Sequence, residues 1–268
     1  MRSDELDFII KLLMDRSGLA LTAEKEYLIE SRLLPIARAQ ACKDLSELIV
    51  LLRTRPTEAL LTEVTEAMTT NETYFFRDGK PFEQLKTTIL PQLRVNAGIR
   101  RNLRIWSAAC SNGQEPYTTA MIIREENLPE WKYEILATDL ADKVIKKSQQ
   151  GIYSQFEVQR GMPIQFLLKY FKQNEESNWQ IKDELRSMIQ FRIQNLLKDY
   201  NSLGRFDLIF CRNVLIYFND ATKAKVIENM CNIIQPKGFL CLGSTEAIIG
   251  NKERLVEVEG CRGFYQLR

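Results

Sequence analysis

Leu103-Arg-Ile-Trp-Ser-Ala-Ala-Cys-Ser-Asn-Gly-Gln-Glu-Pro-Tyr-Thr-Thr-Ala-Met-Ile-Ile123 decides the fold class. An apolar, strand-like run from Leu103 to Ala109 breaks into small polar residues around Gly113, and a helical pattern starts behind Glu115 and Pro116. A strand, a tight turn and a helix N-terminus set backbone N–H groups and a positive dipole end beside an open crevice, the place where α/β proteins bind nucleotide-like ligands. The turn holds one glycine, so the dinucleotide pattern G-x-G-x-x-G is not met, and no Gly-Lys-Ser/Thr follows to make a P-loop. An adenosine-containing ligand without a pyrophosphate fits this turn better.

Outward from this turn the chain has two textures. Residues 1–70 read as helices only. Leu6, Ile9, Ile10, Leu13 and Met14 give a helical face that Ser17-Gly18 stops. Thr22 is placed to cap a second helix running towards Ala41, with a kink expected at Pro35. Asp44-Leu-Ser-Glu47 has capping-box spacing, and Thr57 caps a last helix through Met68. From Leu103 strands and helices alternate, the α/β signature. The spacing predicts strands over Arg104–Ala108, Glu134–Ala137, Phe206–Phe210 and Phe239–Leu242, with Phe264–Leu267 as a closing edge strand. Helices are expected over Gln84–Leu93, Pro116–Glu126, Asp142–Gln150 and Asp220–Ile234. Residues 154–195 break the rhythm, and Trp179–Lys182 and Met188–Ile193 alternate like antiparallel strands. The expected organisation is a helical domain over 1–70, a linker segment and helix over 71–100, and an α/β domain over 101–268 carrying a small antiparallel β insertion at about 154–195.

Composition narrows the chemistry. The 268 residues are 45% hydrophobic and 27% charged, as in a soluble globular protein with ample core. No apolar run approaches a membrane span, and the N-terminus lacks a signal-peptide pattern, so a cytoplasmic location is expected. Six cysteines occur without a C-x-x-C pair, which speaks against disulfide or zinc use. The chain contains no histidine, which removes Ser-His-Asp and Cys-His catalysis and the usual base near neutral pH. Residues 1–70 hold 9 Lys+Arg against 12 Asp+Glu, net −3, and the remainder is +5. Neither half is basic enough to suggest a nucleic-acid partner.

Three further segments carry candidate chemistry. Asp139 ends its strand 26 residues after Gly113, where an acid accepts both hydroxyls of a ribose, although any Asp there can also cap the next helix. Arg212 and Asn213 emerge at the carboxyl end of the buried strand from Phe206, with Tyr217 a turn further on; an incidental strand-to-helix loop is the plainer reading. Met68-Thr-Thr-Asn-Glu-Thr-Tyr-Phe-Phe-Arg77 interleaves polar residues with aromatics at the junction of the two halves, and periodicity does not choose between a ligand-binding and a connecting role.

Together these segments resemble the bacterial chemotaxis receptor methyltransferases of the CheR family, which use S-adenosylmethionine to esterify glutamate side chains. The resemblance rests on Thr69-Thr-Asn-Glu-Thr-x-Phe-Phe-Arg77, Trp106-Ser-Ala-Ala-Cys-Ser-x-Gly-x-Glu-Pro-Tyr117, Ala137-Thr-Asp139, Gly151-Ile-Tyr153, Asn195-Leu-Leu197, Phe206-Asp-x-Ile-Phe-Cys-Arg-Asn-Val-Leu-Ile-Tyr-Phe218 and Pro236-x-Gly238, and so covers essentially the whole chain. It implies a Rossmann-like S-adenosylmethionine-dependent methyltransferase sheet behind an N-terminal all-α domain. It implies cofactor contacts at Asn71, Thr73, Arg77, Glu115, Asp139, Asn195, Leu196, Arg212 and Asn213, with no metal. Arg77 and Tyr217 would border the methyl group and place the incoming carboxylate. Lys25, Arg32 and Arg38 lie on the helix that the family presents to the acidic methylation helices of the receptor's cytoplasmic signalling domain. The expected partner is therefore a methyl-accepting chemotaxis receptor, met by a monomer that neither inserts in a membrane nor binds nucleic acid. A solvated helix face is the plain alternative for the three basic residues.

Two departures from the family pattern stand out. Gly243-Ser-Thr-Glu246 replaces the common Gly-His-Ser-Glu, and Lys172-Gln-Asn-Glu-Glu-Ser-Asn-Trp179 lacks the glycine of loops that tether some members to a receptor's C-terminal pentapeptide. Weak or no tethering is expected. Competing readings are a methyltransferase for another protein or a small carboxylic acid, and a non-catalytic cofactor-binding scaffold. The intact Arg77, Asp139, Arg212, Asn213 and Tyr217 argue against the scaffold.

Overall fold

In the computed structural model, which describes residues 1–268, the chain divides into two compact units: Met1–Thr70 with Tyr217–Thr222, and Asn71–Ile216 with Lys223–Arg268. The first is helical, with α1 (Ser3–Ser17), α2 (Glu26–Ala39), α3 (Leu45–Thr54) and α4 (Glu58–Ala67). Their apolar stripes meet in a core that includes Ile9, Leu13, Ile29, Leu33, Leu48 and Val64, each at most 1% exposed. The predicted caps form on α3 and α4: Asp44 accepts from the Glu47 N–H at 3.0 Å, and Thr57 from that of Leu60 at 3.2 Å. Thr22 makes no side-chain cap, because a short 3-10 turn (Ala23–Lys25) comes between it and α2. Helix α2 runs through Pro35 to Ala39.

The second unit opens with one helical path longer than the predicted Gln84–Leu93: α5 (Lys80–Gln84), a π turn (Leu85–Ile89) and α6 (Leu90–Ala97). Then follow β1 (Asn102–Ala108), α7 (Gln114–Glu126), β2 (Lys132–Asp139) and α8 (Asp142–Gln150). The small subdomain comprises β3 (Ile152–Tyr153), α9 (Gln155–Gln159), α10 (Ile164–Tyr170), β4 (Phe171–Gln173), β5 (Trp179–Ile181) and α11 (Asp183–Arg186). The chain returns through β6 (Ile189–Ile193) and β7 (Phe206–Cys211), and ends with α12 (Asp220–Ile233), β8 (Ile234–Leu242), β9 (Leu255–Glu257) and β10 (Phe264–Leu267).

Seven strands form one sheet in the order β6-β2-β1-β7-β8-β10-β9, and β3-β5-β4 form a separate antiparallel sheet. From β6 to β8 neighbouring strands are parallel; β10 runs antiparallel to β8 and to β9. Two expectations are corrected here. The alternating stretch Met188–Ile193 does not belong to the antiparallel insertion: it supplies β6, paired in parallel with β2 through Ile135↔Ile189 to Asp139↔Ile193. It alternates because it borders the sheet and only part of it is covered, leaving Ile193 56% exposed. The antiparallel sheet itself spans residues 152–181. Nor is Phe264–Leu267 an edge, since the three-residue β9 pairs outside it.

Strand β7 is buried along its whole length, and β1 nearly so, as expected of central parallel strands with helices on both faces. The chain goes from β1 to β2 on one side, and β7 lies on the other. The strand order therefore reverses between β1 and β7, and a crevice opens beyond their carboxyl ends.

Candidate active site

The β1–α7 turn is shaped by its backbone more than by its side chains. Ala109, Ser111 and Gly113 all have positive φ, at 59°, 51° and 86°. Gly113 is required twice over, because a side chain there would be strained and its Cβ would lie 2.8 Å from Ser148 Oγ and 3.2 Å from Tyr153 Oη. The hydroxyls of Ser148 and Tyr153 donate to the carbonyls of Ser111 and Asn112, at 3.0 and 2.7 Å, and fix the turn from behind. The single glycine is thus a packing necessity, not a remnant of a phosphate cradle.

Asp139, 7% exposed at the end of β2, does not cap α8, whose N-cap is Ala141 without a side-chain cap; it binds backbone N–H groups on either side of it. Its Oδ1 accepts from the Ala141 N–H (3.1 Å), the local bond of a helix entrance, while Oδ2 accepts from the Ser111 N–H across the crevice (2.9 Å). Ser111 Oγ in turn donates to the carbonyl of Asn71 (2.9 Å), and the Asp139 carbonyl accepts from the Gln194 N–H (2.9 Å) beside Asn195. Asn195 caps its own turn, its Oδ1 accepting from the Leu197 N–H at 2.9 Å, with Leu196 buried behind it. Asp139 therefore connects the segment carrying Ser111 through its carboxylate and that carrying Asn195 through its backbone carbonyl, and Ser111 extends the connection to Asn71.

A second cluster surrounds Arg212, whose side chain is only 1% exposed. Its guanidinium pairs with Glu115 at 3.0 Å and Asp78 at 2.7 Å, donates to the Arg77 carbonyl at 3.0 Å, and lies 5.3 Å from the Phe82 ring centre. Burial opposes this charge, but Glu115 and Asp78 outweigh it and keep the guanidinium's pKa above its ordinary value. Glu115 also accepts from Ser107 Oγ at 2.7 Å. The side chains of Arg212 and Glu115, expected as cofactor contacts, are thus bound first to each other. Arg77 itself is half-buried, its guanidinium donating to the Glu72 carbonyl (2.6 Å) and standing 5.7 Å from the Tyr74 ring centre. Thr73 is half-buried in the same segment.

Asn213 has a left-handed backbone, φ 58°, and its N–H is taken by Glu246 at 2.7 Å. Asp78 was not singled out by sequence reasoning, and Ser107, Ser111 and Glu246 stand in the motifs Trp106–Tyr117 and Gly243–Glu246 without a role of their own. Nothing local signals the Glu246 bond, which spans 33 residues.

The remaining expected residues belong to the helical unit. Tyr217 joins it through its carbonyl, which accepts from the Ala20 N–H at 2.8 Å. Arg32 donates to the carbonyls of Met68 (2.8 Å) and Thr69 (3.0 Å) and to Thr70 Oγ1 (3.1 Å), closing the end of α4. Its guanidinium is used internally, while Lys25 and Arg38 are exposed.

Asp139, Glu115 and Asp78 bring three carboxylates to the carboxyl-end side of β1, β2 and β7, and the buried cation there, Arg212, is already flanked by two of them. Such a donor set is unsuited to a pyrophosphate and suited to a ribose diol and a cationic, phosphate-free ligand. S-adenosylmethionine has those properties, and the residues present fit it.

Residues 4–69 match the family described as CheR methyltransferase, all-alpha domain, and residues 71–264 match CheR methyltransferase, SAM binding domain. Chemotaxis protein methyltransferase Cher2 of Pseudomonas putida is 40% identical over a 277-residue alignment covering 100% of both chains. Chemotaxis protein methyltransferase 1 of Pseudomonas aeruginosa is 41% identical over 256 residues, 92% of each chain. Its namesake in Vibrio cholerae is 37% identical over 265 residues, 96% of this chain and 94% of that one. Among solved structures, PKMT2 from Rickettsia typhi superposes with a TM-score of 0.39 at 14% identity, covering 64% of this chain and 26% of that one, a likeness too loose to build on. The chain belongs to the CheR family and is an S-adenosylmethionine-dependent methyltransferase acting in chemotaxis.

Proposed function

We propose that this enzyme esterifies glutamate side chains on the cytoplasmic signalling domain of a methyl-accepting chemotaxis receptor, working as a cytoplasmic monomer. The observation that carries the reading is an acidic, imidazole-free crevice. A glutamate carboxylate, with a pKa near ~4.3, is already ionised at neutral pH and needs no base. When bound, S-adenosylmethionine supplies an electrophilic methyl group on a sulfonium sulfur.

The chain's own residues then bind and orient. Asp139 holds the ribose, and Asn71, Thr73, Asn195 and Leu196 line the same crevice. Glu115, Arg212 and Asn213 complete it, with Arg212 acting as a strut behind the others. Arg77 places the incoming carboxylate, and Tyr217 is assigned the same task from its motif position. Proximity and orientation of this kind are worth roughly 7–11 kcal/mol of barrier. On the helical unit the exposed Lys25 and Arg38 suit acidic receptor helices better than Arg32, whose guanidinium closes α4.

We also propose that the enzyme works without pentapeptide tethering. The β4–β5 connection is tightly closed: Asn174 Oδ1 accepts from the N–H groups of Glu176 (3.1 Å) and Asn178 (2.8 Å), and Ser177 has φ 61°.

The test is transfer of a labelled methyl group from S-adenosylmethionine to a purified receptor signalling domain. Label on receptor glutamates, released as methanol by mild alkali, supports the reading; cofactor binding without transfer sinks it. For tethering, calorimetry with a receptor C-terminal pentapeptide should show no micromolar binding.

A further inference from the structure

The loops that follow β7 and β8 are joined by a single side chain. Glu246 Oε2 accepts from the N–H groups of Asn213 and Gly243, each at 2.7 Å, and Oε1 from those of Val214 (2.9 Å) and Ile216 (3.2 Å). Four backbone donors converge on one carboxylate, three from the β7 loop and one from the β8 loop. Charge-assisted bonds of this kind are about twice as strong as neutral ones.

The bonded segment is not one that would hold its shape unaided. Asn213 sits at φ 58°, which L-residues visit at a cost, Asn less than most. Gly243 allows the approach: a Cβ there would lie 2.6 Å from Glu246 Oε2 and 2.9 Å from both the Asn213 N and Nδ2 atoms. The glycine is thus needed for closeness, not for its own dihedral angles. Glycine at 243, carboxylate at 246 and a left-handed Asn213 form one interlocking device.

We infer that Glu246 is a positioning residue for the methyl-transfer reaction: it sets the backbone of Asn213 beside Arg212 and so shapes the cofactor crevice, touching neither cofactor nor acceptor. This rests on the reading of Asn213 as a cofactor contact. Ser244 is exposed, whereas the acid two residues on carries the bonds.

The experiment measures S-adenosylhomocysteine affinity by calorimetry on the purified full chain, well below the melting temperature of each variant. Glu246→Gln keeps the shape but turns an amide NH2 towards backbone N–H groups. It is expected to fold cooperatively and to bind at least tenfold more weakly, with kcat/KM for S-adenosylmethionine falling in parallel. A folded Glu246→Gln protein binding within twofold of the parent overturns the inference, because a purely structural carboxylate would lower the melting temperature and leave the affinity alone. Should Glu246→Gln not fold, Gly243→Ala decides, since it displaces the same loop and leaves the carboxylate in place. Tenfold weaker binding supports the inference and parent-like binding ends it. Asn213→Ala separates the layers: if it weakens binding while Glu246→Gln does not, the positioning role alone fails. If neither matters, the assignment of Asn213 fails with it.

Discussion

Arg212 holds Arg77 by its backbone: one guanidinium nitrogen donates to the Arg77 carbonyl at 3.0 Å and to the Asp78 carboxylate at 2.7 Å. The residues on either side of Arg77 are both left-handed, Phe76 at φ 52° and Asp78 at φ 71°. Each such conformation costs on the order of 1–3 kcal/mol and persists only where its surroundings over-determine it. Here the surroundings are specific. Thr118 Oγ1 accepts from the Phe76 N–H at 3.2 Å, the Gly79 N–H donates to the Phe76 carbonyl at 2.9 Å, and Arg212 closes the other side. The other guanidinium arm reaches Glu115 at the start of α7, so the crevice and the Arg77 segment share one buried ion cluster.

Arg212→Ala should therefore cost far more than a surface charge. Removing one member of a buried ionic cluster destabilises by roughly 3–5 kcal/mol, since the carboxylates of Glu115 and Asp78 lose the cation they share. Chemical denaturation would read this directly. Arg212→Lys should recover only part of it, because an ammonium cannot span Glu115, Asp78 and the Arg77 carbonyl as a planar fork does. Full recovery by lysine would show that charge alone, not geometry, is what the cluster needs.

Arg77→Ala makes the opposite prediction. The Arg77 side chain reaches a backbone carbonyl and lies near Tyr74 at the half-buried face of its segment, so little packing is lost. The melting temperature should stay within a few degrees, while kcat for receptor methylation falls by roughly a hundredfold, the scale of a lost orienting contact. An unchanged methylation rate would remove Arg77 from the acceptor side of the crevice.

How much of this was legible in the sequence follows from the range of each interaction. The turn around Gly113 was readable because strand, turn and helix are contiguous there, and Asp139 because its place at a strand end is a local property. The Asp44 and Thr57 caps were readable for the same reason. Met188–Ile193 misled because a partly covered border strand alternates as an antiparallel one does, and pairing direction leaves no trace in a five-residue pattern. The commitments of Arg212 were invisible: its partners lie 97 and 134 residues away, and the sequence shows only that Arg212 and Asn213 leave a buried strand. Glu246 was hidden likewise, since a carboxylate that binds backbone N–H groups needs no partner side chain to betray it.

In the helical unit Glu5 gives a prediction with a definite pH window. Its carboxylate accepts from the Arg2 backbone N–H at 2.9 Å, and this bond, with further help from the Arg2 and Ser46 side chains and against the effect of burial, lowers its pKa from 4.5 to about 2. A carboxyl held below its unfolded value stabilises the fold above about pH 4.5, and this contribution is lost as the pH falls towards 2. The difference in urea midpoint between the parent and Glu5→Gln should be constant near neutrality and shrink between pH 4.5 and 2. A difference that stays flat over that range would contradict the assignment.

The cysteines give a prediction about accessibility. Cys110, Cys211, Cys231, Cys241 and Cys261 are buried, and Cys42 alone is partly exposed. Burial pushes the thiols of Cys110, Cys211 and Cys241 well up and that of Cys231 to about 11, so these four are protonated at neutral pH as well as shielded. The thiolate is the reactive species, and a buried thiol behaves as a small hydrophobe. A water-soluble disulfide reagent at pH 7.5 should therefore label one thiol per native chain in the fast phase, and Cys42→Ser should abolish that phase. The other five should react only at the rate of unfolding, so that adding denaturant brings the count to six. A second fast equivalent in the native protein would mean that a strand bearing one of these cysteines opens without global unfolding. Since Cys110 follows β1 and Cys211 ends β7, the strands whose carboxyl ends border the crevice, protection of their thiols by S-adenosylhomocysteine would then locate the opening at the proposed cofactor site.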